Sequence, residues 1–531
     1  MERVKFFQLL PQDTLKLLAT VLFSSIFAYL IIDASMARRT VQTAANYPLV
    51  GSPVSFMPLF AHNLLYLLQA AANARNGYRK FKDKAFQLLR YEGNVVVLPH
   101  TLLHELASLP ETVASQQSAL SMDLAGPFTG LDMIVDNRLN NIIIQRRLTP
   151  RLPLLIPRLE QSTREVFDAH FPKDEGWTEV QPFHLLKHVS ACLAANVIVG
   201  PSLRDDPTWF DISVKYTENV FITSIILRMF PCWMQKIIYP FLPSYWRTKA
   251  CFRLARRILG PKIQQLIQLH DSGKWEPRAD DADDLNVLRW LCGLAKGNDR
   301  NPDTISHILV LLVLASVHNN LFRIISVLYD VTAAGSTLSD QLVAEIAATM
   351  DEGWNDMPYD RLYRLDSVLC ESQRVSPPSV LGMKRLFKLP YTFQDGTHIA
   401  AGTYTCMATS AIENDPTNTP YPERFDGLRR FRALENRCQA GQLDDTIVKE
   451  FRFSNPTPTA LNWGYGKLAC PGRHFASCVI KMVLVKLLAD YEFAFRPGAG
   501  RPKNMNVYDF TFILPNQKML MKPKKKPLHP F

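Results

Sequence analysis

The sequence predicts a mainly α-helical protein with a small β portion, an α+β fold, preceded by a single transmembrane helix. Three observations predict this architecture: an apolar run at residues 15–32, helical periodicity from about residue 60 to 360, and short β-like segments from about residue 377 onward. The composition of the 531 residues, 47% hydrophobic and 21% charged, excludes disordered, collagen-like and coiled-coil classes. No long polar linker divides the chain, so we expect one large domain.

Cysteine usage and net charge narrow the function classes. The nine cysteines are scattered and show no paired CxxC spacing, which argues against a secreted disulfide framework and against a structural zinc site. Lysine and arginine outnumber aspartate and glutamate by 60 to 49, a formal net charge of +11. A basic balance suits an anionic membrane surface or an acidic protein partner as well as nucleic acid, so charge alone does not choose among them.

The apolar run at residues 15–32 carries Lys16 as its only charge, at its edge. A helix of that length is about 27 Å long, close to the hydrocarbon thickness of an endoplasmic-reticulum bilayer. The alternative, a cleaved signal peptide, would have an apolar region of only about 7–15 residues. We therefore expect a retained membrane anchor over residues 1–40, with its helix at about 15–32, and a single span.

Two prolines, Pro48 and Pro53, follow the anchor and break helical structure. They predict a proline-containing hinge at residues 41–58 and a single domain at residues 59–531. Within that domain, residues 303–331 are apolar nearly all round, which predicts one long buried helix. A second membrane span is the alternative, but polar residues in its middle, His318 to Asn320 and Arg323, would be costly in a bilayer.

Residues 462–476 read NWGYGKLACPGRHFA, with Cys470 between Gly466 and Gly472. An apolar segment follows, so this turn presents the sulfur at a helix N-terminus, where backbone N–H groups and the helix dipole favour a thiolate. A thiolate held in this way is a good axial ligand for haem iron. The alternative is a buried free cysteine without a ligand role.

Two arginine-containing motifs precede the cysteine motif. Glu371 and Arg374 lie three residues apart on one predicted helix face, where opposite charges can pair. Arg424, in the segment YPERF, supplies a second arginine that could complete a buried cluster with them. Each motif is weak alone, because ExxR occurs by chance in a chain of this length and an isolated YPERF is typical of an exposed turn.

In this order, the motifs resemble those of the cytochromes P450, and the resemblance covers nearly the whole chain. The family's cysteine pattern, FxxGxxxCxG, is met at Gly466, Cys470 and Gly472, with Trp463 in place of the usual phenylalanine. The resemblance implies the cytochrome P450 fold, with the long central helix as the family's I helix. It also implies a haem-thiolate monooxygenase domain at residues 59–531.

The resemblance further implies a cofactor and residues that hold it. The cofactor is haem b, iron protoporphyrin IX, with the thiolate of Cys470 as axial ligand of the iron. Trp463, Gly466 and Gly472 belong to the cofactor-binding loop. The structural cluster that holds this loop consists of Glu371, Arg374 and Arg424.

The central helix departs from the family pattern. Where the family commonly has an acid and a threonine that relay protons, this chain has His318 and Asn319, with Ser316 nearby. The stretch resembles the His-Thr-Thr variant of many filamentous-fungal members, including ent-kaurene oxidase-like ones, with both threonines replaced by asparagine. Ser316, His318 and Asn319 are therefore the candidate catalytic residues. Two outcomes stay open: water replaces the alcohol and hydroxylation continues, or altered proton delivery favours desaturation, ring closure or rearrangement.

A second departure is Leu468, where many family members carry a histidine or arginine that holds a haem propionate. Buried carboxylates need cationic partners. The candidate replacements are Arg385 and Arg146, together with Arg147, His398 and Lys467. The alternative is that each is an ordinary surface residue.

Substrate and partners follow from the surfaces and the resemblance. Residues 217–246 are rich in aromatic and aliphatic side chains with scattered cations. This composition is typical of a segment at the membrane interface, and a buried helix pair is the alternative. Together with the anchor, they predict a lipophilic substrate. The resemblance to filamentous-fungal members implies secondary metabolism, so the expected substrate is a terpenoid or prenylated indole alkaloid first and a polyketide second. Ser316, Asn319, Asn320 and residues near Val380 are expected to line its pocket.

The anchored topology implies a protein of the endoplasmic reticulum membrane with a cytosolic domain. The electron donor is then NADPH-cytochrome P450 reductase, with cytochrome b5 as a second partner, docking near Lys467 and Arg473. No nucleic acid is expected as a partner. The alternative function is a non-oxygenating haem-thiolate isomerase, cyclase or dehydratase, or a haem-binding regulator, and Asn319 is the feature that favours it.

Overall fold

The computed structural model describes residues 47–51, 59–90, 95–278, 284–355, 357–442 and 444–531, with isolated positions at 20, 24 and 31. The predicted anchor helix and most of the predicted hinge lie outside the described residues. In the described chain, one helix, Pro302–Ala334, is long and apolar enough to cross a membrane. Most of that helix is buried inside the protein, as expected for a core helix.

Long helices dominate the described part of the chain, which confirms the predicted mainly α-helical class. In chain order they are α1 (Leu59–Lys80), α2 (Leu152–His170), α3 (Pro182–Ile198), α4 (Pro207–Leu227), α5 (Pro243–Asp271), α6 (Pro302–Ala334), α7 (Ser336–Asp351), α8 (Tyr363–Val375) and α9 (Arg473–Asp490).

Shorter helical segments connect the long helices. The α-helical ones are Leu103–Ser108, Gln116–Asp123, Gly126–Thr129, Met133–Asp136, Leu139–Ile143, Pro201–Arg204, Cys232–Ile238, Val287–Leu294, Thr409–Glu413, Arg429–Gln439 and Asp445–Glu450. A π-helical turn spans Ile144–Leu148. The 3-10 turns are His100–Leu102, Thr149–Arg151, Tyr239–Phe241, Gly297–Arg300, Pro358–Arg361 and Gly466–Leu468.

The β portion is small and lies at the edges of the helical body. Its strands are β1 (Leu49–Val50), β2 (Phe86–Leu88), β3 (Val95–Val97), β4 (Ala114–Ser115), β5 (Thr178–Val180), β6 (Gly382–Phe387), β7 (Tyr391–Thr392), β8 (His398–Ile399), β9 (Tyr404–Met407), β10 (Tyr491–Ala494), β11 (Met505–Val507), β12 (Phe510–Phe512) and β13 (Met519–Pro523).

These strands form one mixed six-stranded sheet in the order β1-β2-β3-β9-β6-β4, a three-stranded sheet β10-β13-β5, and the hairpins β7-β8 and β11-β12. Strand β6 pairs antiparallel with β9, with Leu386 opposite Tyr404 and a β-bulge between Gly382 and Arg385. Strand β1 pairs in parallel with β2. Because β1 lies within residues 41–58, part of the segment predicted as a hinge belongs to the sheet.

Helix α6 is the central element, and it extends the predicted residues 303–331 by a few residues at either end. Asn301 caps its N-terminus, where the side-chain oxygen accepts from the backbone N–H of Asp303 at 2.9 Å, and Pro302 takes the first helical position. Gly335 follows its last residue with a φ of +90°, which ends the helix. Its apolar sides pack against α3, α4, α5, α8 and α9, which explains why most of the helix is buried, as predicted.

Candidate active site

The cysteine loop is closed by a backbone hydrogen bond. The N–H of Cys470 donates to the carbonyl oxygen of Trp463 at 2.7 Å. Between them, Gly464 and Gly466 have φ values of +77° and +65°, in the left-handed region that favours glycine. The loop is therefore a tight turn whose shape depends on these glycines, as the sequence motif indicated for Gly466.

The sulfur of Cys470 lies at the start of α9. The backbone N–H groups of Gly472 and Arg473 and the positive charge of Arg473 act to lower the pKa of the Cys470 thiol. Burial nevertheless outweighs these contributions and raises the pKa of the Cys470 thiol above its ordinary value. The loop therefore does not by itself lower the pKa of the thiol, and coordination to a metal would favour the deprotonated sulfur.

The surroundings of the sulfur fit a large flat metal cofactor. Gly472 has a φ of −86°, which any residue adopts, and a Cβ placed on it would meet no protein atom within 4 Å. Neither the backbone nor a protein contact therefore demands glycine here, and open space remains beside Gly472, two residues after the cysteine. In the described chain, no group of three or more histidine, cysteine and acidic side chains could bind a metal ion. A single sulfur ligand beside open space fits haem, which brings its own four nitrogen ligands.

Trp463 is held by its neighbours in the loop. Its indole N–H donates to the carbonyl oxygen of Phe453 at 2.8 Å, and the two rings pack edge to face with centroids 5.3 Å apart. The sulfur therefore accepts nothing from the indole, and the ring is available as an apolar cover beside the loop. The role of Trp463 as an aromatic cover on the sulfur side stays a prediction.

Glu371 and Arg374 form the buried ion pair that the ExxR spacing predicted. The guanidinium donates to both carboxylate oxygens, at 2.6 and 2.9 Å. Burial alone would raise the pKa of Glu371, but Arg374, the backbone N–H of Asp426 and Arg429 together lower it below its ordinary value. Arg374 also donates to the carbonyl oxygens of Pro422 and Arg424, at 2.7 and 3.1 Å. The pair thus anchors the YPERF segment to α8 through that segment's backbone.

The second arginine beside Glu371 is Arg429, in place of the expected Arg424. The Arg424 side chain is 77% exposed and lies 3.8 Å from Glu423. Arg429 approaches Glu371 with its Nε 3.4 Å from Oε2, and it donates to the Arg424 carbonyl oxygen at 3.3 Å. The backbone of the segment faces inward, so the Arg424 side chain points outward. Sequence reasoning missed Arg429 because nothing in the motif distinguishes it from the neighbouring arginines.

A second buried ion pair connects α8 to the helix of the cysteine motif. Lys481 of α9 lies 2.6 Å from Asp366 of α8, and both side chains are nearly inaccessible. Asp366 also accepts from the backbone N–H of Phe453 at 3.0 Å, the residue whose carbonyl holds Trp463. Sequence reasoning missed this pair, since the partners are more than one hundred residues apart and no local spacing links them.

The middle of α6 opens on one side. Ala315 and Asn319, one turn apart, are exposed, and Leu312 and Ser316 beside them are half-buried, in a helix that is otherwise largely buried. We call these four residues the open stripe. The Asn319 amide donates to the Ala315 carbonyl oxygen at 2.8 Å, and the Ser316 hydroxyl donates to that of Leu312 at 2.9 Å. Two of the three candidate catalytic residues, Ser316 and Asn319, therefore share this stripe.

The third, His318, lies on another side of the helix and is 5% exposed. Its Nε2 is 3.9 Å from a carboxylate oxygen of Glu218 in α4, and neither ring nitrogen makes a hydrogen bond with a described residue. His318 lowers the pKa of Glu218. Asn320, expected in the pocket, is also buried away from the open stripe. The structure therefore separates His318 and Asn320 from Ser316 and Asn319.

Arg385 is the buried cation among the candidates for a propionate partner. It is 2% exposed, and its Nη1 donates to the carbonyl oxygen of Lys384 at 2.8 Å. Burial lowers the pKa of its guanidinium to about 10, although Glu111 acts in the opposite direction. Its Nε makes no hydrogen bond with a described residue. A buried guanidinium with spare donors suits a carboxylate partner.

The other propionate candidates lie in more open positions. Arg146, Lys467 and His398 are exposed. Leu468, which occupies the position of the family's usual histidine or arginine, is half-buried. The His398 ring contacts the Thr392 hydroxyl at 2.8 Å. Arg147 is half-buried and lines a separate surface pocket. Among these candidates, Arg385 alone combines burial with unused donors.

Comparisons with known proteins agree with this geometry. The family model for Cytochrome P450 matches residues 53–523. Cytochrome P450 monooxygenase AN1598 of Emericella nidulans is 32% identical over 90% of this chain and 87% of its own length. Cytochrome P450 monooxygenase AtmP of Aspergillus flavus is 33% identical over 94% of this chain and 93% of its own. An ent-kaurene oxidase of Gibberella intermedia is 29% identical over 88% and 86%.

A solved structure shares the fold. The retinoic acid-bound cyanobacterial CYP120A1 aligns with a TM-score of 0.62 at 18% sequence identity. The alignment covers 90% of this chain and 99% of that chain. This similarity confirms the fold class predicted from the order of the motifs.

Proposed function

Because the chain belongs to the cytochrome P450 family and is a monooxygenase of that family, we propose that it oxidises a lipophilic secondary metabolite with dioxygen. The proposed substrate is a terpenoid or a prenylated indole alkaloid, and the proposed electron donor is NADPH-cytochrome P450 reductase. The observation that carries the proposal is the single cysteine sulfur in a glycine-shaped turn at the start of α9, with open space beside Gly472.

We propose that haem b is held by a small set of residues. The Cys470 thiolate would bind the iron, Trp463 would cover the sulfur side, Gly466 would shape the cysteine turn, and the open space at Gly472 would leave room for the ring. Arg385 is the proposed partner of a propionate, because it is buried and has unused donors. When bound, the haem supplies dioxygen activation, and a thiolate ligand favours cleavage of the O–O bond.

The protein's own side chains hold the segments around the cysteine loop in place and can orient groups on the open stripe. The Glu371–Arg374 pair, with Arg429, fixes the segment at Pro422 and Arg424 against α8. The Lys481–Asp366 pair connects α8 and α9 behind the cysteine loop. On the open stripe, Asn319 keeps its side-chain oxygen and one amide N–H free of Ala315, so it can orient a water molecule or a polar group of the substrate.

We propose that the protein lies at the endoplasmic reticulum membrane, anchored by the helix that the sequence predicts at residues 15–32. Within residues 217–246, large apolar side chains are exposed, up to 80% for Phe241; they are Ile222, Trp233, Ile237, Phe241 and Trp246. Leu64, Leu65 and Leu68 of α1 are also exposed, and the Asn63 amide of α1 donates to the Arg228 carbonyl oxygen at the end of α4, at 2.7 Å. The two apolar areas are therefore neighbours and fit a lipid surface that delivers the substrate.

The proposed redox partners dock on the side of the cysteine loop. Lys467 is exposed in the turn before Cys470, and Arg473 is half-buried just after it. Positive side chains beside the sulfur suit acidic surfaces on the reductase and on cytochrome b5, and such complementarity mainly speeds association.

The experiment is turnover in yeast microsomes that contain the reductase. We expect NADPH and oxygen consumption that depends on the presence of a terpenoid or indole substrate, with an oxygenated product identified by mass spectrometry. The Cys470→Ala variant is the matched control and should show no substrate-dependent consumption. Product formation by that variant would contradict the proposal.

The second candidate function is a non-oxygenating isomerase, cyclase or dehydratase, or a haem-binding regulator. The observation that favours it is the pair Asn319 and Ser316 on the open stripe, where an amide replaces a relay alcohol. Conversion of the substrate without oxygen consumption would support the second function. Conversion that requires oxygen and NADPH would support the monooxygenase.

A further inference from the structure

A polar surface pocket lies apart from the cysteine loop, α8 and the open stripe. Its volume is about 260 Å³. It is formed by the helical turns at Ile144–Leu148 and Thr149–Arg151, the C-terminal end of α5, the chain that follows α5, and the helix Val287–Leu294. We call it the arginine pocket, and its polar and aromatic lining residues are Arg147, Arg151, His270, Glu276, Arg278 and Trp290.

The pocket concentrates positive charge. Arg147 and Arg151 are one helical turn apart, and Arg151 Nη1 donates to the Arg147 carbonyl oxygen at 3.4 Å. Burial and the nearby Arg147 charge lower the pKa of Arg151, as expected for two cations held together. The Arg151 Nε is shielded from solvent and has no hydrogen-bond partner in the described chain.

No carboxylate within the described residues pairs with these arginines. Glu276, on the pocket wall, is exposed and forms no ion pair with a described residue. Asp284, the next acid along the described chain, is already engaged by Arg289 at 2.6 Å and by the indole N–H of Trp275 at 3.1 Å. Because clustered cations are ordinarily paired, an anion bound in the pocket would supply the partner that Arg147 and Arg151 do not have among the described residues.

The floor of the pocket is aromatic. Trp290 is buried, and the Arg151 guanidinium lies 5.8 Å from the centroid of its ring. The ring limits the directions that the guanidinium can take, so its donors are partly preorganised. Planar guanidinium groups bind the oxygens of phosphate in pairs, which a lysine ammonium does not do.

We propose that the arginine pocket binds a phosphate group, carried by a small metabolite or by a lipid headgroup. Its volume accommodates a phosphate with a short carbon chain, such as glycerol 3-phosphate. Arg147 and Arg151 bind the phosphate oxygens from one side, Arg278 from the rim, and Trp290 contacts the carbon portion. This site is independent of the oxidation proposed above.

The experiment measures binding to the purified full-length protein in detergent by isothermal titration calorimetry. The probes are inorganic phosphate and glycerol 3-phosphate, with sodium chloride at equal ionic strength as reference. Arg151→Gln should weaken phosphate binding at least about tenfold, and Arg151→Lys, which keeps the charge without the planar fork, should weaken it less. Arg138→Gln removes one exposed charge outside the pocket and is the matched control. It should bind phosphate like the unaltered protein.

Two further measurements keep the outcome interpretable. Equal melting temperatures of the variants in chloride would show that they are folded. Vesicles containing phosphatidic acid, compared with neutral vesicles, test the lipid source: retention lost with Arg151→Gln supports a headgroup, and soluble binding without such retention supports a metabolite. Phosphate binding equal to chloride, or unchanged by Arg151→Gln, would overturn the proposal. If Arg151→Gln changes how much reductase the enzyme requires but leaves phosphate binding unchanged, the proposal is also overturned, in favour of a protein partner.

Discussion

The pKa of the Cys470 thiol depends on the groups around the sulfur. Burial raises the pKa of its thiol, two backbone N–H groups and Arg473 lower it, and burial is the larger effect. The sequence could identify this cysteine, because glycine spacing and the helix that follows are local properties. It could not identify Arg429, because that side chain reaches Glu371 only when the backbone of residues 421–424 turns inward, beginning with Tyr421 at a φ of +50°.

Arg424 and Arg429 give a matched pair of variants. Arg429→Gln should lower the free energy of unfolding by about 1 kcal/mol, because it removes a partly buried partner of Glu371. Arg424→Gln should leave it unchanged within error, because that side chain is exposed. Urea unfolding of the two variants compares them directly. A larger loss for Arg424→Gln would contradict the position that the structure gives to Arg429.

Glu413 makes stability depend on pH. Burial raises its pKa to about 7, although Arg430, Asn462 and Arg374 act in the opposite direction. The pKa of Glu413 in the folded state lies above the ordinary value of 4.5 expected in the unfolded state. Between these two values the folded protein therefore binds a proton that the unfolded chain has released. Its stabilising contribution is therefore complete below about pH 4.5 and is lost as the pH rises through about 7.

We expect the free energy of unfolding to fall on the order of 1–3 kcal/mol between pH 5 and pH 8 from this group. Glu413→Gln keeps an acceptor for the Asn462 amide, which donates to Glu413 at 2.8 Å, but has no proton to lose. Its unfolding free energy should therefore change less over that range in urea titrations. Parallel curves for the variant and the unaltered protein would show that Glu413 does not titrate near neutral pH.

Asn319 is the residue through which the open stripe would affect chemistry. Asn319→Thr replaces an amide by a hydroxyl that is a better link in a proton chain, so we expect more product per NADPH consumed. Asn320→Thr makes the same chemical change at a buried position off the stripe and should not improve this ratio. The ratio is measured in microsomes with the reductase. An unchanged ratio and product spectrum with Asn319→Thr would indicate that water already replaces the alcohol.

Among the elements, those with a strong local pattern were predictable. Helix α6 begins and ends within a few residues of the prediction, because its apolar residues surround it on all sides and glycine ends it. The hairpin strands β7 and β8 lie in the region after residue 377, where the sequence predicts short β-like segments. Strand β1 was not predictable, because two residues become a strand only through pairing with β2, nearly forty residues later.

The contact between α8 and α9 depends on the buried pair Asp366 and Lys481. Lys481→Met should lower the free energy of unfolding by about 3–5 kcal/mol, because it leaves the Asp366 carboxylate buried without a cation. The double variant Lys481→Met, Asp366→Asn should recover part of that loss, since no buried charge remains. A double-mutant cycle in urea measures the coupling. Additive losses from the two single variants would contradict a direct interaction.

For the whole molecule, the order of the motifs carried more information than any one of them. A long buried helix, ExxR and a glycine-flanked cysteine are each common, but their succession along 531 residues indicated the cytochrome P450 fold that the comparisons confirm. The arginine pocket was beyond sequence reasoning, because its lining residues come from segments more than one hundred residues apart. From the sequence, Arg147 is only a candidate partner of a haem propionate.

The central claim is that the thiolate of Cys470 is the axial ligand of a haem iron. The most direct measurement is the absorption spectrum of the purified, reduced protein after addition of carbon monoxide. We predict the red-displaced band of sulfur-ligated iron, and its loss in Cys470→Ala. A preparation without haem absorption, a band typical of histidine ligation, or an unchanged band in Cys470→Ala would contradict the claim.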